Sequence, residues 1–438
     1  MPDDAPRTAD QQHSLWMATA APAPECAPLE GGASADVAIV GAGFTGLSCA
    51  IALAAHDRAV TVIEAGEIGH GGSGRNGGQV IPGLKQDPDE IAATFDKDVA
   101  QRLTALSGSA ADRVFALIER HGIECNAEHR GWLQPAHNAT ALEVVRKRAA
   151  AWRAHGAPVE MLDARQARDA LGSDYYCGGW IDRRGGAVQP LSYARGLARA
   201  AMGLGAAVYC NSPAIGLARD GERWTIATPR GTVSARHVVL ATDAYSGELQ
   251  PEVQRNFVSV NSVQIATDVL PTALRSRIIP AGLPVSDTHR LLYYFRLDPQ
   301  GRFVIGGRGN VSGDISEGVF AFLRGAAEKL YPDLRGIDWP YRWWGQVGLT
   351  RDWMPHLAEL APGMWTSVGY CGRGVAMATA MGQVLANRIL EGALARSDPA
   401  LEFPVKPLTR VPLWKWRKPL VAAAIGWFRT REALGIPA

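Results

Sequence analysis

ADVAIVGAGFTGLSCAIALAAHDRAVTVIEA, residues 35–65, is the stretch whose reading decides the fold. Residues 37–40 form a short apolar run. Gly41-Ala42-Gly43-Phe44-Thr45-Gly46 follows it as G-x-G-x-x-G. Residues 47–55 are Ala-rich and helical in character. Residues 60–63 are a second apolar run, ending on Glu64. Strand, glycine turn, helix, strand and acid is the order of a dinucleotide-binding βαβ unit. Gly41 permits the tight turn. Gly43 lets backbone N–H groups approach a pyrophosphate at the helix N-terminus. Gly46 lets helix and strand pack closely. Glu64 can accept hydrogen bonds from a ribose hydroxyl, and Phe44, Thr45 and Ala65 complete the cofactor-facing set. The motif alone leaves FAD and NAD(P) both open.

The chain has 438 residues, too many for one compact core, so about two domains are expected. A hydrophobic share of 47% with 20% charged residues is that of a globular protein. The net charge of +2 gives no argument for a nucleic-acid partner. The six cysteines (Cys26, Cys49, Cys125, Cys177, Cys210, Cys371) are scattered, with no C-x-x-C pair. They read as thiols in a reducing compartment, with no zinc or other metal site. No apolar run is long enough to span a bilayer. The Asp3-Asp4, Ala/Pro-rich start lacks the basic and apolar regions of a signal peptide. The expected location is cytoplasmic.

Residues 1–34 read as a lead arm anchored by Leu15 and Trp16. Residues 35–90, 160–250 and 341–400 are expected to form a discontinuous dinucleotide-binding domain. Residues 91–159 and 251–340 are expected to form a β-rich substrate domain. In it Asp298-Pro299-Gln300-Gly301 should turn a hairpin between two aromatic-rich strands. Residues 401–438 are a tail. Within it Leu413-Trp414-Lys415-Trp416-Arg417-Lys418 is basic and aromatic, a pattern suited to peripheral contact with a membrane surface, the inner membrane included, or to docking on the protein itself.

A second glycine loop follows Glu64: Ser73-Gly74-Arg75-Asn76-Gly77-Gly78-Gln79. Such density lets backbone lie flat against a ligand and point several N–H groups at it. A third lies late in the chain, Gly369-Tyr370-Cys371-Gly372-Arg373-Gly374, and opens an Ala-rich helix at Val375. A helix N-terminus there offers free N–H groups and a positive dipole end, and Arg373 adds a full charge.

Together these three loops resemble the D-amino-acid oxidase (glycine and sarcosine oxidase) superfamily of FAD-dependent enzymes. The similarity is greatest to its γ-glutamylputrescine oxidase-like and L-pipecolate oxidase-like branch and covers nearly the whole chain. The resemblance implies an α/β (α+β overall) fold, with a Rossmann-like FAD-binding domain and a β-rich substrate domain. It implies that Gly41, Gly43 and Gly46 face the FAD pyrophosphate and Glu64 the adenosine ribose. It places residues 73–79 along the flavin, Ala241 and Thr242 near the pyrophosphate, and Gly372, Arg373, Gly374 and Val375 beside the pyrimidine edge. Asp243 departs from the glycine common at its position. Relatives that hold flavin covalently use a cysteine matching residues 346–349 or a histidine near Arg75-Asn76. Neither is present, and His70 is expected at the surface, so FAD is expected to be noncovalent.

The implied chemistry is hydride transfer from a carbon bearing nitrogen to the flavin, giving an imine and, with oxygen as acceptor, hydrogen peroxide. An arginine fork suits a substrate carboxylate. Arg308 is the first candidate, Arg351 the second and Arg296 the third. Tyr294 and Trp344, with Tyr293 and Tyr370, are candidates for the wall of the site. The expected substrate is an L-pipecolate-like amino acid or a γ-glutamyl-polyamine. The alternatives are an FAD amine dehydrogenase serving a membrane or protein carrier, an NAD(P)-dependent dehydrogenase, and a non-catalytic flavin-binding subunit. The lysine that assists oxygen reaction in sarcosine oxidases has no counterpart in residues 261–271.

Overall fold

The apolar runs of residues 37–40 and 60–63 become central strands of the first of two eight-stranded sheets. The structure, a computed structural model, describes residues 13–247, 249–309 and 317–433. The outer parts of the lead arm (1–12) and of the tail (434–438) lie outside the described residues. Gly31–Val40 runs between Val60–Ile63 and Gly231–Leu240, parallel to both. Met364–Val368 and Ala207–Tyr209 extend the parallel run at its two sides. His356–Ala361, Arg223–Ala227 and Gly216–Asp220 add antiparallel strands. Val37, Ala38, Ile39, Val62 and Ile63 are all buried, as strands covered on both faces require. The chain leaves Gly31–Val40 for a neighbour on one side and later returns to the other. A crevice therefore opens at the carboxyl ends of these strands.

The second sheet runs in the order Tyr341–Leu349, Val258–Val269, Arg302–Arg308, Tyr294–Leu297, Val285–Ser286, Trp132–Pro135, Gly179–Asp182, Val159–Leu162. The expected hairpin is there. Leu297 pairs with Phe303, and the Gly301 N–H donates to the Asp298 carbonyl at 2.9 Å. Phe295, Phe303, Ile305 and Tyr331 centre a core of its own.

Three segments lie elsewhere than their sequence positions suggested. Tyr341–Leu349, allotted above to the dinucleotide unit, pairs with Val258–Val269 in the second sheet. Gly179–Asp182, also allotted to that unit, pairs with Trp132–Pro135. Helix Lys97–His121, allotted to the substrate domain, buries Leu103, Leu106, Ala110 and Val114 in the core shared by Phe44–Ala54 and Gly374–Ile389. Its small alanines let helix approach helix, a property of the partner surface rather than of local periodicity.

The lead arm is anchored as expected. Leu15 and Trp16 are buried in a short helix, Leu15–Thr19, and the Trp16 indole donates to the Asn76 carbonyl at 2.7 Å. The reading of every cysteine as a thiol is corrected. Cys26 and Cys210 form a disulfide, with Cα atoms 5.4 Å apart across 184 residues. Their pairing follows from the arm running beside Ala207–Tyr209, where the Cys210 N–H donates to the Ala27 carbonyl at 3.1 Å. Among the described residues no helix is long and apolar enough to cross a membrane.

Candidate active site

The first glycine turn sits at the end of Gly31–Val40 and is closed by tertiary contacts. A Cβ on Gly46 would lie 2.0 Å from the Gly41 carbonyl oxygen, so only glycine allows helix Phe44–Ala54 to begin there. Gly43 offers that helix no side-chain cap, and beyond the Phe44 N–H, which Ser73 takes, its first amides are left for a ligand. Glu64 binds the turn itself, accepting from the Ala42 N–H at 2.8 Å and from the Gly66 N–H at 3.1 Å. Burial raises its carboxyl above the ordinary value, against the opposing pull of these amides. Each oxygen keeps a lone pair for a ribose hydroxyl. Ala65 is exposed on the rim.

The second loop turns under the first. Ser73 Oγ accepts from the Phe44 N–H at 3.0 Å, joining the two loops. Asn76 staples its own loop: its Nδ2 donates to the Gly72 and Ser73 carbonyls, and its Oδ1 accepts from the Gly78 N–H at 2.8 Å. Gln79 reaches the second sheet, donating to the Val285 carbonyl at 2.8 Å and accepting from the Ser286 hydroxyl at 2.6 Å. Gly78 has φ +67°, and a Cβ there would meet the Val188 carbonyl oxygen at 2.3 Å. Gly74 is buried beside Leu191, and Gly77 lies against the Tyr294 ring. Arg75 is buried, with Nε on the His70 carbonyl at 2.9 Å and Nη2 without a protein partner. His70 is half-buried rather than at the surface, because its ring packs under Gly66.

The third loop meets the first. Thr45 Oγ1 and Tyr370 Oη lie 2.7 Å apart. Asp243, beyond Ala241 and Thr242 at the end of Gly231–Leu240, accepts from the Gly369 N–H at 2.8 Å. Burial pushes its carboxyl up to about 6, with the Gly369 and Ala244 amides opposing. Gly372 has φ +86° and open space where a Cβ would stand. Arg373 begins helix Gly374–Ile389, and Val375 is buried in its first turn.

All three loops converge on the crevice of the first sheet, the position of a dinucleotide in such folds. A family model described as FAD dependent oxidoreductase matches residues 36–388. The chain belongs to the FAD-dependent oxidoreductase family. It is 32% identical to "Probable oxidoreductase OrdL" of Rhizobium meliloti (strain 1021), over 96% of this chain and 97% of that protein. It is 31% identical to the "Gamma-glutamylputrescine oxidoreductase" of Escherichia coli (strain K12), over 92% and 93%. Its fold is similar to that of glycine oxidase from Geobacillus kaustophilus, with a TM-score of 0.70, 22% identity, and coverage of 87% and 99%.

FAD is therefore the dinucleotide, and NAD(P) is set aside. The residues present fit it. The Thr45 and Gly46 amides, at the start of the helix after Gly43, suit a pyrophosphate. The open side of Gly372 and the unpartnered, buried Arg75 Nη2, Arg373 Nε and Arg373 Nη1 leave polar groups for a flavin. Bound there, FAD supplies the two-electron acceptor that the oxidoreductase chemistry needs.

The second sheet provides the opposite wall. Tyr294 is wedged between Gly77 and Gly306, and its hydroxyl lies 2.6 Å from Ser262 Oγ. Trp344 lines a small, partly open cleft with Arg75, His70, Gly74 and Trp343. Arg308 is half-buried, its guanidinium 5.6 Å from the Trp353 ring. Arg351 is exposed on the turn after Tyr341–Leu349 and is not brought to Arg308 by any contact among the described residues. Arg296 is used structurally, donating to the Val188 carbonyl at 2.8 Å beneath the Trp16 ring. Tyr370 serves the glycine turns rather than the substrate wall.

One residue escaped the sequence reading. Lys85 follows the second glycine loop and sits among Arg373, Arg308 and Arg148. A lysine a few residues beyond a flavin loop is the only sequence signal it carries, and its neighbours come from distant segments.

Proposed function

We propose that the protein oxidises the C–N bond of an amino acid or secondary amine that carries an acid group. The carbon bearing nitrogen gives up its hydrogen with the bonding electrons, and the resulting imine hydrolyses. One observation supports this reading: Tyr294 packs on Gly77 of the second glycine loop, and Arg308, near Cys371 of the third, has an aromatic neighbour but no carboxylate partner among the described residues. A γ-glutamyl-polyamine is the favoured substrate, supported by the Escherichia coli relative's name, with an L-pipecolate-like amino acid second. The site residues named above, from Gly41 to Val375 for FAD and Arg308, Tyr294 and Trp344 for substrate, are part of this proposal; Arg351 is the weaker of the two arginines. FAD is held without a covalent link.

Anaerobic mixing of the holoenzyme with a panel of amines tests the proposal. The favoured substrate bleaches the flavin band near about 450 nm, as reduced flavins do. Failure of every amine to bleach a bound flavin refutes it. Acid precipitation should release all yellow colour, and colour kept on the chain refutes the noncovalent link.

Oxygen is the first acceptor to test, by peroxide release on readmitting air. A membrane-borne carrier is the second reading. Helix Arg417–Ala433 and the turn before it expose Leu413, Trp416, Leu420 and Trp427 beside Lys415, a composition suited to an anionic lipid surface.

A further inference from the structure

The second sheet has a narrow seam, closed by a clasp of polar side chains. The short strand Val285–Ser286 joins the two halves of the sheet and pairs with Trp132–Pro135 through Val285 against Leu133. Past Ser286, side chains hold the two segments together. The Thr288 hydroxyl donates to the Pro135 carbonyl at 3.3 Å, and its oxygen accepts from the His137 backbone N–H at 3.1 Å. His137 Nδ1 lies 2.8 Å from the same oxygen. The Thr288 proton is already given to Pro135, so Nδ1 carries the hydrogen of that bond. The other ring nitrogen, Nε2, lies 2.9 Å from Asn138 Nδ2. Asn138 cannot turn its oxygen there. Its Oδ1 accepts from the Ala141 N–H at 2.8 Å as the N-cap of helix Ala139–Ala154. Nε2 is therefore an acceptor, and the closed clasp holds a neutral ring.

The other side of the clasp is the loop of residues 287–293, built around a buried carboxylate. Asp287 accepts from the His289 N–H at 3.2 Å, the Tyr293 N–H at 3.0 Å and the Tyr176 hydroxyl at 3.2 Å, and His289 Nδ1 lies 2.7 Å from it. The loop starts after Ser286, which binds Gln79 of the second glycine loop. It ends at Tyr294, which packs on Gly77. The His289 ring stacks on His137, with centroids 4.0 Å and planes 21° apart. Tyr175 Oη lies 3.2 Å from His289 Nε2, and Lys329 of helix Glu317–Leu330 sits 5.0 Å over the Tyr175 ring. On the His137 side, the Cys177 thiol donates to the Ala136 carbonyl at 3.3 Å. A charge on His137 thus meets His289 across the stack and Lys329 beyond Tyr175. The Asp287 carboxylate is already taken up by its own loop and by Tyr176.

We infer that His137 is the titrating pin of an acid-sensitive clasp. Neutral, it holds the loop of residues 287–293 to the Trp132–Pro135 strand; protonated, it releases the loop that leads into Tyr294. A proton from solvent on Nε2 uses the lone pair that accepts from Asn138. Two N–H groups then face each other, and one must move. Either Asn138 swings and helix Ala139–Ala154 loses its cap, or the ring leaves Thr288. Burial, then the His289 charge, holds the His137 ring below the ordinary histidine value, with Asp287 opposing. A lowered value means that the closed clasp binds the proton less tightly than the open one. Its stability is fully present above about pH 6.5 and is lost as pH falls from there. The device acts on conformation and holds whichever substrate the enzyme takes.

Hydrogen–deuterium exchange of the holoenzyme at about pH 7.5 and about pH 5.5, with times corrected for the intrinsic rate, reads the clasp without substrate. Peptides over residues 136–142 and 287–293 should lose protection in acid by up to about tenfold, the most that one histidine of ordinary value allows over that interval. Helix Gly374–Ile389 should keep its protection. Asn138→Asp keeps the cap and offers the imidazolium an acceptor, so acid should no longer open the clasp. His137→Phe keeps the stack and removes the titration. It should exchange alike at both pH values, and it serves should Asn138→Asp not fold. Equal protection of the two peptides at both pH values in the unaltered protein overturns the clasp. So does an acid effect undiminished in Asn138→Asp, or a loss shared equally by helix Gly374–Ile389.

Discussion

The Thr45 hydroxyl and the Tyr370 phenol lie 2.7 Å apart, joining two glycine turns separated by 325 residues. Both groups are buried, and the phenol also donates to the Ser367 carbonyl at 3.2 Å. The early turn and the late turn are thus one structure at the cofactor crevice. Tyr370→Phe leaves the Thr45 hydroxyl short of a partner. It should cost about 1–2 kcal/mol in chemical denaturation and weaken FAD retention. Equal stability and equal FAD affinity would show that the two turns are held by other contacts.

Gly46→Ala should abolish FAD binding, because its Cβ would be driven to 2.0 Å from the Gly41 carbonyl oxygen. Gly32→Ala is the control: it lies in the same strand-turn unit with nothing within 4 Å of its Cβ. The flavin-to-protein absorbance ratio after gel filtration distinguishes them. Loss in the first with retention in the second is the expected result.

Asp243 gives a pH dependence of definite sign. Burial pushes its folded-state carboxyl up to about 6, above the ordinary aspartate value. A raised pKa means the folded state binds the proton more tightly. That stability is fully present below about 4 and is lost as pH rises through about 6. Asp243→Asn keeps the oxygen that accepts from Gly369 and has no charge to bury. Its stability relative to the unaltered protein should rise over that window, by at most about 3 kcal/mol. Melting temperatures of both proteins from pH 4 to 8 check this; a difference that stays flat with pH refutes it.

The Cys26–Cys210 pair is testable by mass. Alkylation of the unfolded, unreduced chain should label the four remaining cysteines, Cys49, Cys125, Cys177 and Cys371. Prior reduction should add two labels. Cys26→Ser should loosen the lead arm, though Leu29 N–H on Ser212 Oγ at 2.8 Å still ties it down. Limited proteolysis before residue 29 should therefore quicken while FAD is retained. Six labels without reduction would rule the bridge out.

Much of the cofactor half was legible before the fold was known. Residues 37–40 and 60–63 are apolar without alternation, and a parallel strand buried on both faces needs that pattern. At Gly46 and Gly78 a side chain would strike backbone, and at Gly372 a positive φ favours glycine beside open space. The hairpin at Asp298 was marked by its Pro and Gly. The cation cluster was less legible. Arg308, the first candidate, stood out at the end of a strand; Arg351, the second, is exposed. Lys85 had no local signature.

Helix Lys97–His121 and strand Tyr341–Leu349 show why position along the chain misleads about domain membership. A helix's apolar stripe states that it packs, not on what, and a strand's alternation does not name its partner. The same holds for Cys26 and Cys210, whose spacing carries no information about bridging.

What this sequence determined by itself was the set of local conformations and, through three glycine loops, the class of cofactor. Those depend on backbone sterics and short-range periodicity, which neighbouring residues set. What only the tertiary structure decided was the electrostatics of the site. The Lys85 amine, the Asp243 carboxyl and the Arg373 guanidinium take their properties from desolvation and from charges on distant segments. Those terms act through space, and they exist only once the two sheets face each other.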